Sequence, residues 1–453
     1  MFGLLIAAVV TLIVAYLILK KVKAQTVLFV GGLFLMTCAI TFFGATILDA
    51  KKSTGLVWFD MIKYIENLFS SRAAGLGLTI MAVGGFARYM DHIHASKVLV
   101  KVLIRPLSLI RSPYIVLALS YIVGQILNIF IPSASGLGVL LMATVYPLLI
   151  NLGVSKLSAT AVIGTTACLD LGPASGNAVL AAKNSGMDVA VYFTEHQIPV
   201  AIAVMLTIAV LHYFVQRWFD AKDGHIVEKI DVSELKHEHN LPPVIYALLP
   251  ILPLVLILTF SKLFISSIKM SVISAMLIST ALAMLFELVR SQKLAEVFGS
   301  IQVFFDGMAK QFAVVVTLIV AGETFAYGLT KIGAIETLID LAHYSGMGAA
   351  GMIILMTMII AVASIVMGSG NAPFFAFAAL APEVAAKMSI APVIMLLPMQ
   401  LAAGIARSVS PITAVIVAVC GISNVSPIDV VKRTAIPMGG ALLVAVMMNF
   451  ILF

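Results

Sequence analysis

Hydrophobic residues run through this chain in blocks, separated by short clusters of charged and turn residues. Several blocks reach about 20 residues, the length at which an α-helix crosses roughly 30 Å of hydrocarbon. The pattern predicts full spans at 2–20, 25–47, 73–95, 156–182 and 198–219, and again at 242–263, 269–290, 311–335, 393–420 and 434–452. The first block begins at Phe2. It is too long for a signal-peptide core and no small-residue cleavage site follows, so it reads as a retained helix. Between the two groups of five lies a stretch rich in Lys, Glu, Asp and His, which reads as a solvated linker at 220–241.

Two regions depart from this pattern. Residues 113–150 and 349–388 each hold two apolar arms around a break of small polar residues. The breaks read Ile131-Pro132-Ser133-Ala134-Ser135-Gly136 and Gly368-Ser369-Gly370-Asn371-Ala372-Pro373. Irregular backbone at membrane depth is tolerated only where protein buries it or where it lines a wet cavity. Both regions therefore read as re-entrant hairpins. Two ordinary spans joined by a short loop is the competing reading.

An internal repeat organises the whole. At an offset of 238 positions Pro173 falls on Pro411, Ser175 on Thr413, Ser185 on Ser423 and Ile198-Pro199 on Ile436-Pro437. At 239, Phe86-Ala87 falls on Phe325-Ala326 and Ile93 on Ile332. Each half thus has three spans, one hairpin and two more spans. Five crossings is an odd number, so the second half enters the membrane upside down. The expected fold is an all-α integral membrane protein with an inverted-topology repeat, an architecture of secondary transporters. Positive charge agrees with this. With both termini outside, 17 of the 28 Lys and Arg residues fall in cytoplasmic segments and 9 in outer ones, leaving Arg88 and Arg407 within spans. Such a bias sets orientation.

Composition narrows the class further. Apolar residues make up 61% of the chain and charged residues 11%, less than half the charge of an ordinary soluble protein, about 25%. The net charge of +7 is topological, and no basic helix or aromatic-basic repeat points to nucleic acid. Cys38, Cys168 and Cys420 all lie in apolar segments and read as packing residues. No His-Glu-x-x-His, phosphate-binding loop or Gly-x-Ser-x-Gly is present, so ATP drive and hydrolase chemistry find no support, and the protein reads as a non-enzyme.

Candidate chemistry sits at the breaks. Asp170-Leu171-Gly172-Pro173-Ala174-Ser175-Gly176-Asn177 interrupts one span, and Arg407-Ser408-Val409-Ser410-Pro411-Ile412-Thr413 its repeat mate. Proline removes a backbone donor, so each span should split into two half-helices, with Pro173 and Pro411 opening the second. Gly172 and Ser410 are the expected caps. Half-helix N-termini offer free N–H groups and a positive dipole end, which suit a carboxylate. The substrate-site candidates are Ser133, Ser135, Gly136, Pro173, Ser175, Asn177, Ser369, Gly370, Asn371, Arg407, Ser410, Pro411 and Thr413. An arginine in mid-span is costly and rarely faces lipid, and its guanidinium holds a carboxylate well. Asp170 and Glu323 are candidates for coupling to H⁺ or Na⁺. Glu323 equally suits a hydrogen bond between helices, and Asp170 an ion pair with Arg407. No metal site or cofactor is expected.

These motifs, with Ala74-Gly75-Leu76-Gly77-Leu78-Thr79, Val366-Met367-Gly368-Ser369-Gly370-Asn371-Ala372-Pro373-Phe374 and Val409-Ser410-Pro411-Ile412-Thr413, resemble the C4-dicarboxylate anaerobic carrier family of the DcuC type, nearest its DcuD subgroup. The resemblance runs over essentially the whole chain. It implies uptake, exchange or efflux of succinate, fumarate and malate across the inner membrane of an anaerobic bacterium. It also implies kinship with the ion-transporter superfamily, whose members are homodimers working as elevators. Mapped here, the scaffold is 1–112 and 242–347, and the transport part is 113–219 and 348–453. Asp170 stands where members of the type are apolar, and the first tip lacks the Ser-Asn-Thr sodium motif of distant relatives. A carrier of another organic anion or an amino acid on the same fold is the alternative.

Overall fold

The computed structural model describes residues 2–20, 22–225, 241–261, 264–265, 267–268, 270–337 and 348–453. Among them the chain is helical throughout, with no strand. A bilayer leaves little choice, because a helix satisfies its backbone polar groups within itself. In the first half the helices are α1 (Phe2–Leu19), α2 (Ala24–Phe43), α3 (Val57–His92), α4 (Ala95–Ile104), α5 (Pro113–Phe130), α6 (Ala134–Asn151), α7 (Lys156–Thr165), α8 (Gly176–Asn184) and α9 (Val189–Lys222). The second half has α10 (Leu252–Thr259), α11 (Val272–Ser291), α12 (Leu294–Lys331), α13 (Ala349–Met367), α14 (Asn371–Phe377), α15 (Ala381–Lys387), α16 (Pro392–Arg407), α17 (Ala414–Ser423) and α18 (Pro427–Leu452).

Nine of these, among the described residues, are long and apolar enough to cross a membrane. Six are expected spans and three are hairpin arms. Four expected spans stand apart from these nine. One is α1, an apolar helix of 18 residues at the start of the described chain. The region 242–263 opens with a 3₁₀ turn, Val244–Leu248, before the eight-residue α10. The remaining two are the broken spans. The spans expected at 73–95 and 311–335 are only the later parts of α3 and α12, which begin at Val57 and Leu294. Their early turns carry charges on one face, among them Asp60, Lys63, Glu66, Glu296 and Lys310, and this amphipathic stretch hid their start from a hydropathy reading.

The repeat is plain in the backbone. Helix α3 widens to a π-turn at Ala73–Gly77, and α12 does so at Phe312–Val316, at the same offset of 239 positions as the sequence match around them. Packing is exchanged between halves. Helix α2 lies on α12 while its mate α11 lies on α3, and α9 lies on α18. Where α3 crosses α12 the backbones nearly touch. A Cβ on Gly307 would sit 2.8 Å from the Gly84 carbonyl, and one on Gly85 2.8 Å from the Phe304 carbonyl. Small residues permit such close crossings where no hydrophobic force drives helices together.

The chain doubles back at both expected hairpin tips. Helices α5 and α6 pack against each other around Ile131–Ser133, and α13 packs on α14 around Gly368–Gly370. Gly368 ends α13 in the left-handed region, φ 62, the usual residue for such a stop. Hairpin one then lies on α17, and α14 of hairpin two lies on α8, so each hairpin reaches the broken helix of the other half. Outward-facing side chains are apolar and exposed along many helices, for example Leu5 and Leu12 on α1 and Leu443 and Met447 on α18. A face of that size and character calls for lipid.

Candidate functional site at two broken helices

Both interrupted spans do split. Helix α7 ends at Thr165 and α8 starts at Gly176, while α16 ends at Arg407 and α17 starts at Ala414. The restarts come three residues after the prolines, not at them. A proline disfavours helical geometry in the residue before it, and Gly172 turns the chain at φ 86 just ahead of Pro173. The caps are accordingly Ser175 and Thr413, 238 positions apart, rather than Gly172 and Ser410. Ser175 accepts a hydrogen bond from the Ala178 N–H at 3.4 Å. Thr413 instead donates its hydroxyl to the Arg407 carbonyl at 2.6 Å, so α17 starts without a side-chain cap.

Arg407, the last residue of α16, points across to the other break. Its Nη2 donates to the Ala167 carbonyl at 2.7 Å and to Asp170 Oδ1 at 2.9 Å. Both partners of the ion pair are largely buried, with side-chain exposures of 12% and 13%. Asp170 Oδ2 accepts from Asn177 Nδ2 at 2.9 Å, and the residue is held at φ 49, a conformation uncommon outside glycine. Among the described residues neither Nε nor Nη1 of Arg407 has a hydrogen-bond partner. Asn177 Oδ1 and Ser410 Oγ are buried and also unpartnered. Buried polar atoms are seldom left so.

Glycines let the pieces close on one another. A Cβ on Gly404 would strike the Cys168 carbonyl, and one on Gly370 would crowd Ala403 and the Arg407 side chain. The second hairpin tip thus sits directly over Arg407. Of the other expected site residues, Ser369 accepts from the Ala372 N–H at 3.5 Å and Ser133 from the Gly136 N–H at 3.2 Å, each at the start of its own helix. No hydrogen bond joins Ser133, Ser135, Ser369 or Asn371 to Arg407. The first tip meets the first break through Pro132 and Pro173, which line a small, mainly apolar cavity of about 20 Å³ with Phe86 of α3 and Leu254 of α10.

Three glutamines that the sequence reading passed over hold the unwound segment. Gln400 Nε2 donates to the Leu169 and Asp170 carbonyls at 3.0 and 3.2 Å, and its Oε1 accepts from Gln197 at 2.8 Å. Gln197 in turn accepts from the Gly172 N–H at 3.0 Å, and Gln125 from the Leu169 N–H at 3.3 Å. Their signal was available, since an amide inside an apolar span needs partners. Glu323 stands apart from this centre. It pairs with Arg72 Nε at 2.8 Å, joining α12 to α3, which is the inter-helix role weighed for it.

A second polar cluster corrects the sequence reading more sharply. Asp220 was assigned to the linker and Arg433 to a loop. Both are 3% exposed, inside α9 and α18. Arg433 contacts Asp220 at 2.5 Å, Asp223 at 2.5 Å and Ser158 at 2.6 Å, and Tyr114 donates to Asp220 at 3.0 Å. Residues 226–240 of the linker lie outside the described part. Charge ended each span in a hydropathy reading, whereas paired charge continues the helix. Among the described residues no cluster of His, Cys, Asp and Glu could hold a metal ion.

The model of one family, described as the C4-dicarboxylate anaerobic carrier, matches residues 2–453. The chain belongs to that family. The carrier is 37% identical over 439 residues to the probable anaerobic C4-dicarboxylate transporter DcuC of Vibrio cholerae, covering 97% of this chain and 95% of that one. It is 38% identical over 437 residues to the anaerobic C4-dicarboxylate transporter DcuC of Escherichia coli K12, covering 96% and 93%. Among solved structures, it superposes on MtrF of Neisseria gonorrhoeae, described as one of a class of antimetabolite efflux pumps, with a TM-score of 0.60 at 13% identity over 95% of each chain. The YdaH transporter of Alcanivorax borkumensis gives 0.59 at 15% identity over 94% of this chain and 98% of that one. At those identities the likeness is one of fold. The carrier is a multi-pass membrane transporter of the C4-dicarboxylate class, not an enzyme.

Proposed function

We propose that the protein is a secondary active carrier that binds succinate, fumarate or malate between the two broken helices and moves it by an elevator motion. The observation that carries this is Arg407, largely buried between repeat-related breaks, with Nε and Nη1 unpartnered among the described residues. Each of those nitrogens can donate a charge-assisted hydrogen bond to a carboxylate, and the two-pronged grip runs through Nη2, which Asp170 and the Ala167 carbonyl hold while the site is empty. The uncapped start of α17 and the buried Ser410 hydroxyl lie in the same breaks and supply donors for the rest of the ligand, while Asn177 offers an acceptor, its unpartnered Oδ1. Ser133, Ser135, Gly136, Ser369 and Asn371 belong to the tips that would close over it.

Packing supports the division of labour. Helices α2, α3, α11 and α12 pack on one another, and so do α9, α16, α17 and α18 with the hairpins. We read the first group as scaffold, within 1–112 and 242–347, and the second as the moving part, within 113–219 and 348–453. Homodimer assembly through the scaffold, coupling to H⁺ or Na⁺, residence in a bacterial inner membrane and termini on the outer side belong to the same reading. The charge bias supports that orientation.

Counterflow tests it. Proteoliposomes loaded with succinate should take up labelled succinate, fumarate should compete, and Arg407→Ala should lower uptake at least about a hundredfold, in line with loss of a charged anchor. Folded wild-type protein without succinate counterflow would sink the dicarboxylate assignment and favour another organic anion or an amino acid.

A further inference from the structure

Arg407 already faces a carboxylate. Asp170 reaches it by one bond to one nitrogen, 2.9 Å from Nη2, while its other oxygen rests on Asn177. The arrangement is built with care. Asp170 adopts a left-handed backbone, its carbonyl is held by Gln400, and Gly404 leaves room for the carboxylate, with Oδ2 3.3 Å from where a Cβ would be. A carboxylate gripping two nitrogens of this guanidinium must take Nη2, which both parallel N–H edges share, and would stand within a few ångströms of Asp170. Two like charges so close in a site shielded from water repel strongly. Substrate and Asp170 therefore contend for one guanidinium.

Resting on the dicarboxylate reading above, we infer that Asp170 is the carrier's built-in counter-carboxylate: it neutralises Arg407 while the site is empty and yields it to the substrate. The arrangement serves the return stroke. An unpaired guanidinium inside a moving transport part would have to cross the membrane uncompensated, which is costly. Paired with Asp170, the empty centre travels neutral, and net transport becomes possible as well as exchange. The cost is affinity, because a site whose competent form is only partly populated binds more weakly in proportion.

The test uses full-length protein in proteoliposomes and nanodiscs, with succinate as the probe. Asp170→Asn keeps the shape and an oxygen for Nη2 but removes the charge. Succinate should bind it about tenfold tighter or more. The ratio of succinate exchange to net succinate uptake should rise at least about tenfold, since only the empty return is impaired. Asp170→Ser is the second variant, and should shift both readouts the same way. A purely structural Asp170 would instead weaken binding and depress exchange and net uptake together, and that result would overturn the inference. So would unchanged affinity with an unchanged ratio. Absence of succinate counterflow in the wild type would overturn the dicarboxylate reading, and this inference with it, so the two failures are told apart.

Discussion

At the scale of single residues, the centre depends on amides as much as on charges. Gln400 bonds the Leu169 and Asp170 carbonyls of the unwound segment and the amide of Gln197, the first and last of these buried and the second partly so. Without it those groups face no water, and an unsatisfied buried polar group costs about 1–3 kcal/mol. Gln400→Leu should therefore lower the melting temperature of the purified carrier by several degrees and reduce succinate counterflow. Thermal unfolding in detergent checks the first part, and an unchanged midpoint would contradict the supporting role. Arg407 and the two prolines were legible in the sequence because each breaks a rule of apolar helices. The glutamines broke a milder one, and their partners are backbone atoms, which no sequence pattern displays. Asp170's ion pair with Arg407 was one of the roles weighed from the sequence, but it links positions 237 apart, and only the folded chain selects it.

Among elements, the union of α9 with α18 shows what a hydropathy reading misses. The two helices share a buried pair, Arg433 with Asp220, and Arg433 also reaches the exposed Asp223 just past the end of α9. Removing one partner of a buried pair strands the other, typically at about 3–5 kcal/mol, whereas removing both is often nearly neutral. Arg433→Met should thus destabilise markedly, and Asp220→Asn combined with Arg433→Met should recover much of the loss. Equilibrium unfolding of the two single variants and the double variant measures it, and additive losses would exclude the coupling. The half-helices follow a different logic. Each first segment ends ahead of its proline, and each second one restarts three residues past it: α8 after Ser175, which caps it, and α17 after Thr413, whose hydroxyl instead bonds the Arg407 carbonyl.

For the whole molecule, motion is the central proposal. The parts proposed to move and to stay fixed meet along α12 and α14 and where α8 lies beside α3, and an ideal Cβ on Gly176 would be 3.7 Å from the Ile80 side chain. Cysteines placed at 80 and 176, in a chain cleared of Cys38, Cys168 and Cys420, should be bridged by a short bis-maleimide. If the transport part slides as a body, the bridge should stop counterflow while leaving the reagent-free protein active. Full transport after complete cross-linking would rule out sliding at this contact.

Several properties of this molecule follow from its sequence alone. Long apolar runs force helices, because lipid offers the backbone no partners. The offset repeat dictates two similar halves, and the odd number of crossings inverts one of them. Prolines and small polar residues mark where helices must open. Only the tertiary structure decided which opened segments meet: that hairpin two covers Arg407, that Asp170 faces it, that Gln400 holds the unwound chain, and that Arg433 and Asp220 lie within helices rather than in water. The physical reason is the range of the interactions. Hydropathy and helix geometry act over a few residues and can be read locally. The cost of a buried charge or amide is settled by groups some hundreds of positions away, and only the folded chain brings those within reach.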